Sequence, residues 1–178
     1  MDISNNTSKQ ISILINDNKK KLIIDKERKN RAITKEKKWI LNDNDYDNIK
    51  QLDIIKTNDI NDDIYKLMYS EIIKKICNYK NQDLKKRKYN EDEFIDIEYI
   101  KKKLIDCELK CYYCREEVMV LYKSVREPKQ WSVERLDNNY GHNKNNITIA
   151  CLSCNISRRT MYHERYKFTK QLKIDKLN

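Results

Sequence analysis

Two C-x-x-C pairs, Cys111-Tyr-Tyr-Cys114 and Cys151-Leu-Ser-Cys154, with residues 115–150 between them, constrain what this chain can fold into more than any other feature. Each pair places two thiolates on one tight knuckle, and the two knuckles together complete the tetrahedral all-sulfur shell that holds a structural zinc. Four thiolates leave no position for water, so the expected Zn2+ is structural and not catalytic. Its share of the folding free energy is large. A segment of about 50 residues buries too little apolar surface to fold alone, and zinc binding then becomes folding. The competing reading, four buried free thiols, has the spacing against it. Cys77 and Cys107 stand apart from the pairs and read as ordinary helix residues.

A chain of 178 residues is long enough for one core with helical additions and too short for two large cores. The net charge of +10, with 37% of residues charged, spreads positive potential over the surface and makes nucleic acid the first candidate partner. AT-rich codons also supply Lys, Asn and Ile, so charge alone does not decide the matter. No run of about 18 apolar residues occurs, and Met1 to Gln10 is polar. Both facts argue against a membrane span or a secretory signal and for an intracellular protein, in the cytoplasm or nucleus of a host cell. Cysteines in such a reducing compartment are metal ligands or free thiols before they are disulfides.

Along the chain, residues 1–58 carry scattered apolar groups without a sustained period and read as a poorly specified polar arm. Within it, Arg31 to Leu41, with Trp39 and Leu41, reads either as a short docked segment or as part of the arm. Residues 59–108 are a helical region. Ile64, Leu67, Met68, Ile72 and Ile76 recur at helical spacing and predict an amphipathic helix from Asp62 to about Tyr79. The cluster Lys85 to Lys88 is either a solvated face or a DNA contact. Asn90-x-x-Glu93 resembles a capping box, and Phe94, Ile97, Ile100 and Leu104 predict a second helix ending near Cys107. Residues 109–178 hold the knuckles, the only glycine, Gly141, and the only proline, Pro128, so the tight turns are concentrated there.

Between the knuckles and just after them, five elements follow in order: Glu134-Arg135 on an apolar strand, Gly141-His142 in a turn, Asn146 before Ile147 to Ala150, Cys151 to Cys154, and Asn155 opening a helix that carries Arg158 and Arg159. This stretch, roughly Lys110 to Tyr162, resembles the HNH (ββα-metal, His-Me finger) endonucleases whose zinc knuckles flank the active site, the group that includes phage junction resolvases and large-virus HNH proteins. The resemblance implies a metal-dependent endonuclease that hydrolyses DNA phosphodiester bonds. Many members carry a histidine directly after the first acidic residue, where this chain has Arg135.

The chemistry of the residues fits that implication. Phosphodiester hydrolysis needs a divalent ion against the charge on the phosphate oxygens, a base for the water, and cations on the flanking phosphates. Glu134 and Asn155 offer hard oxygen ligands for one Mg2+ or Mn2+. Either carboxylate or amide alone is more often a surface group or an N-cap, and only their place in the motif singles them out. Arg135 cannot act as a base and reads as a phosphate clamp. His142 is then the candidate base or a metal ligand, with water deprotonated directly by the metal as the rival. Asn146 is expected to fix the loop carrying His142 through side-chain to backbone bonds. Lys144, Arg158 and Arg159 are expected on phosphates, and His163 on the surface or against the DNA backbone.

These residues predict an α+β fold: a mostly helical N-terminal part, then a ββα module on the four-cysteine zinc, closed by one helix from about Ser153 to Leu172. The expected partner is double-stranded or branched DNA, with double-strand cleavage requiring a homodimer or two sequential nicks. A catalytically inactive zinc-stabilised DNA-binding module and an RNA-directed nuclease are the alternatives.

Overall fold

Residues 36–172, the part that the computed structural model describes, run through three helices, an antiparallel strand pair and two short helices. This is the expected mixed α and β composition, with five α-helices and a two-stranded sheet among the described residues. No described helix is long and apolar enough to cross a membrane. The apolar groups at Ile11 to Ile15 and Leu22 to Ile24 lie outside the described residues.

Residues 36–58, placed by pattern in a poorly specified arm, are folded against the remainder. Lys37 N–H donates to the Lys123 carbonyl at 2.8 Å, and Trp39 meets Tyr122 edge to face at 5.6 Å. Helix α1, Asn48–Thr57, starts where the Asp47 side chain accepts the Lys50 N–H and ends at Asn58 in the left-handed region. Its buried face is two amides and one aliphatic: Asn48, Gln51 and Ile55. The amides satisfy irregular backbone in the segment that follows the first knuckle. Asn48 Nδ2 donates to the Val118 carbonyl at 2.9 Å, and Gln51 Oε1 accepts the N–H groups of Val120 and Leu121 at 2.8 and 3.0 Å.

Helix α2, Asp63–Lys85, continues six residues past Tyr79, where the apolar repeat stops. Tyr65, Met68 and Ile72 face the core, and Asp83, one turn beyond Tyr79, is fully buried. Helix α3, Ile97–Asp106, is capped not by Asn90 but by Asp96, whose carboxylate accepts the Tyr99 N–H at 2.8 Å. Asn90 makes a turn instead, its carbonyl accepting from Phe94 N, because residues 94–95 are drawn into extended pairing. Phe94 bridges Asn143, and Ile95 N–H donates to the His142 carbonyl at 3.2 Å.

Strands β1, Trp131–Arg135, and β2, Ile147–Cys151, pair antiparallel with Glu134 opposite Thr148. Trp131, Ile149, Ile100, Leu104, Leu109, Leu121 and Tyr113 are fully buried where sheet, α3 and knuckle meet, and each such side chain contributes about 1.5–3 kcal/mol of burial. The single closing helix is replaced by two: α4, Leu152–Arg158, and α5, His163–Gln171. The chain breaks at Arg159, in positive φ at 53°. There Arg158 is buried and donates to the Met161 and Arg135 carbonyls, each at 2.7 Å, so its guanidinium occupies carbonyls at the bend. After the bend α5 folds back over the first knuckle, Tyr166 meeting Tyr113 edge to face at 4.9 Å.

Candidate functional site

The four paired cysteines converge, Cys111 and Cys114 from the first knuckle, Cys151 from the end of β2, and Cys154 from α4. Their sulfurs all lie within 4.8 Å of one another, with Cys114 and Cys151 4.0 Å apart. A tetrahedron with Zn–S bonds of about 2.3 Å has S···S edges near 3.8 Å, so the quartet has the size and chemistry for one zinc-like ion. Cys151 Sγ also accepts the Cys154 N–H at 3.3 Å as the N-cap of α4. Sulfurs packed this closely oppose one another's ionisation. The hydrogen bond from Cys151 holds the Cys111 thiol down to about 5, while burial pushes Cys154 up to about 11 and the Cys111 hydrogen bond raises Cys151 well above the usual range. A divalent cation at the centre lets all four ionise together.

A cleft of about 400 Å³ is lined by Tyr79, Glu134, Arg135, Asn138, His142, Asn155 and Arg159 among others. Five of the residues singled out in the motif, Glu134, Arg135, His142, Asn155 and Arg159, therefore line one cleft. Glu134 is buried, and its Oε1 is ion-paired to Arg158 Nε. Burial pushes the carboxyl above its ordinary value, and Arg158 pulls against that shift. Protein hydrogen bonds to Glu134 fall on Oε1 among the described residues, leaving Oε2 to other ligands. Asn155 Nδ2 donates to Ser132 Oγ at 3.1 Å and to the Val133 carbonyl at 3.2 Å. Because a carbonyl needs the NH2 end, the amide orientation is set and Oδ1 is the atom left over.

Arg158, expected on phosphate, is turned inward at 3% exposure and serves Glu134 and the bend. Arg159 lines the cleft in its place. Arg135 donates to the Tyr140 carbonyl at 3.2 Å from the cleft rim. Lys144 is not among the cleft residues; it pairs with Asp96 at 2.8 Å, holding the loop to the start of α3. Asn146 bonds the 136–141 loop at three points: Oδ1 accepts Asp137 N–H at 2.9 Å, and Nδ2 donates to the Asp137 and Gly141 carbonyls at 2.9 and 3.0 Å. His163 opens α5 and lies away from the cleft, near Tyr112 and Tyr162.

His142 is buried, and the partners of its ring come from α2, outside the motif. Asp83 Oδ2 accepts the His142 backbone N–H at 2.6 Å, and the ring Nδ1 lies 2.9 and 3.0 Å from Asp83 Oδ1 and Oδ2. The Tyr79 ring lies 4.5 Å from the imidazole, and its hydroxyl accepts the Val133 N–H at 3.0 Å. Burial pushes His142 down to about 4, with Asp83 pulling the other way. That direction favours the neutral imidazole. Gly141 admits this packing through space and not through φ. A Cβ there would meet the Lys88 carbonyl oxygen at 2.3 Å and Asp83 Oδ2 at 2.9 Å. Asp83 and Tyr79 escape motif reasoning. The available signal is an acidic residue continuing the apolar stripe Met68, Ile72, Ile76, Tyr79 at helical spacing. Compared with family models, with curated proteins and with solved structures, the chain matches none.

Proposed function

We propose that the chain is a metal-dependent endonuclease of the HNH kind that hydrolyses DNA phosphodiester bonds, built on a zinc held by Cys111, Cys114, Cys151 and Cys154. The observation that carries this reading is the convergence of Glu134, Asn155 and His142, with Arg135 and Arg159, on one cleft, together with the four-cysteine cluster. Glu134 Oε2 and Asn155 Oδ1 are the hard oxygen donors that would hold a Mg2+ or Mn2+, an ion that would neutralise charge on the phosphate oxygens. The protein's own part is positional and acid–base. Arg135 and Arg159 hold the phosphates on either side of the scissile bond, His142 accepts the proton of the attacking water, and Arg158 keeps Glu134 in one orientation.

The test is nicking of supercoiled plasmid and of branched DNA in Mg2+ by the zinc-loaded chain. Glu134→Gln keeps an acceptor for Arg158, whereas Glu134→Ala would strand a buried guanidinium. Glu134→Gln and Asn155→Ala are each expected to abolish nicking while DNA binding and zinc content persist. Retained nicking in either variant would put the catalytic ion elsewhere. Binding without cleavage by the wild type selects the DNA-binding module, and cleavage of RNA alone selects the RNA-directed nuclease.

A further inference from the structure

We propose that Asp83, on helix α2, is the positioning residue that holds His142 with Nδ1 protonated and Nε2 bare, so that a helix outside the cysteine-framed segment takes part in the chemistry. This rests on the reading of His142 as the base. Asp83 has little to offer stability. It is fully buried in the last turn of α2, where the helix macrodipole disfavours an anion, and among the described residues no lysine or arginine nitrogen pairs with it. All of its side-chain hydrogen bonds go to His142: one to the backbone N–H at 2.6 Å and two to Nδ1 at 2.9 and 3.0 Å.

A carboxylate only accepts, so the proton between them sits on Nδ1 and Nε2 keeps its lone pair. The rest of the residue is pinned as well. The His142 carbonyl accepts from Ile95 N at 3.2 Å, Tyr79 covers the ring at 4.5 Å, and Asn146 holds the preceding Gly141 carbonyl at 3.0 Å. In the step this arrangement serves, Nε2 takes a proton from water as the water oxygen bonds to phosphorus. The bond from phosphorus to the 3′ oxygen breaks, and the 3′ oxygen leaves with the bonding pair and is protonated by solvent. The imidazolium then returns its proton to solvent. Asp83 keeps its hydrogen bonds to Nδ1 and so stabilises the cation, as an oriented carboxylate does for other histidine bases.

The experiment is a double-mutant cycle on the full zinc-loaded chain with plasmid and Mg2+, using Asp83→Asn, His142→Ala and the pair, alongside 15N NMR of the histidine tautomer. Asp83→Asn can offer an NH2 to Nδ1 and so invites the opposite tautomer. It is expected to lower kcat by ~10²-fold or more with KM nearly unchanged, and to add no further loss in the His142→Ala background. NMR should show bare Nε2 in the wild type and its loss in Asp83→Asn. Wild-type kcat in Asp83→Asn, or an equal loss in both backgrounds, would overturn the proposal by leaving Asp83 inert or merely structural. Should Asp83→Asn fail to fold, the wild-type spectrum decides, and a bare Nδ1 there overturns it. Full activity in His142→Ala would instead remove the base reading. The tautomer spectra then test Asp83 alone, an unchanged tautomer in Asp83→Asn overturning its role.

Discussion

Gly141→Ala is the substitution for which the structure gives the sharpest number. The added Cβ would lie 2.3 Å from the Lys88 carbonyl oxygen, 3.2 Å from its carbon and 2.9 Å from Asp83 Oδ2, whereas ordinary non-bonded separations are about 3.5–4.0 Å. Relief requires about 1 Å of backbone movement at Lys88. That residue is anchored twice, its N–H on the Asp83 carbonyl at 2.9 Å and its ammonium on the Asn138 carbonyl. Overpacking of this kind costs about 1–3 kcal/mol, and rigid backbone on one side places the cost near the upper end. At roughly 2–4 °C per kcal/mol for a chain of this size, Tm should fall by about 6–12 °C. Calorimetry of the zinc-loaded protein measures this, with Asn139→Ala, an exposed change in the same loop, as the control. The same methyl group crowds the carboxylate that holds His142, so nicking should fall more than the folded fraction does. A Gly141→Ala protein within ~0.5 kcal/mol of wild type would show that residues 83–88 are not pressed against the loop, and the packing described for the His142 site would be wrong.

Metal analysis should give about one zinc per chain, and a strong chelator should unfold the protein. Zinc binding worth about 10–16 kcal/mol exceeds most of the stability such domains possess; a folded, zinc-free chain with unchanged melting would refute this. Gln51→Leu should cost about 2–5 kcal/mol in urea melts by stranding the Val120 and Leu121 N–H groups and the Leu121 carbonyl, and a loss below ~1 kcal/mol would mean that α1 is not docked there. His142 is held below its ordinary value, so between pH 6.5 and about 4 the unfolded chain binds more protons than the native one. The stability this contributes is complete above pH 6.5 and is lost as pH falls toward 4. Urea midpoints at pH 7 and 5 should therefore differ less in His142→Gln than in wild type, and equal differences would reject the buried neutral histidine. In the pH–rate profile, the acidic limb should lie below the usual histidine range and vanish in His142→Ala.

What the sequence reveals and what it hides follow from the kind of interaction involved. The cysteine quartet is legible because a tight knuckle forces two sulfurs together regardless of the rest of the fold. The strand pair and the start of α4 are legible because the chain must return from Arg135 to Cys151. Arg158 is misread because two adjacent arginines look equivalent, yet Cys154 and Arg158 are four residues apart and share the inward face of α4. Helix α1 is missed for a different reason. Its buried face carries Asn48 and Gln51, whose role is to satisfy backbone, and hydrophobic periodicity cannot register an amide that is buried for its hydrogen bonds. The Asp83–His142 pair joins residues 59 positions apart, beyond any local pattern.

Those two omissions lie on the same physical line. A zinc-framed segment of this length must use irregular backbone around its knuckles, and irregular backbone leaves donors and acceptors that its own strands cannot pair. Helix α1 supplies amides to residues 109–121, and α2 supplies a carboxylate and a phenol to residues 133 and 142. Both helices are thus joined to the cysteine-framed segment by hydrogen bonds as well as by apolar packing. Residues 36–58 and 59–108, set apart by composition from the segment that follows, share one unit with residues 109–172. The loop bearing His142 is held from three directions, by Asn146 beneath it, by Ile95 along its carbonyl and by Asp83 on its N–H and ring. A side chain so confined has little conformational entropy left to lose when substrate arrives, which is the condition under which a positioned base is most effective.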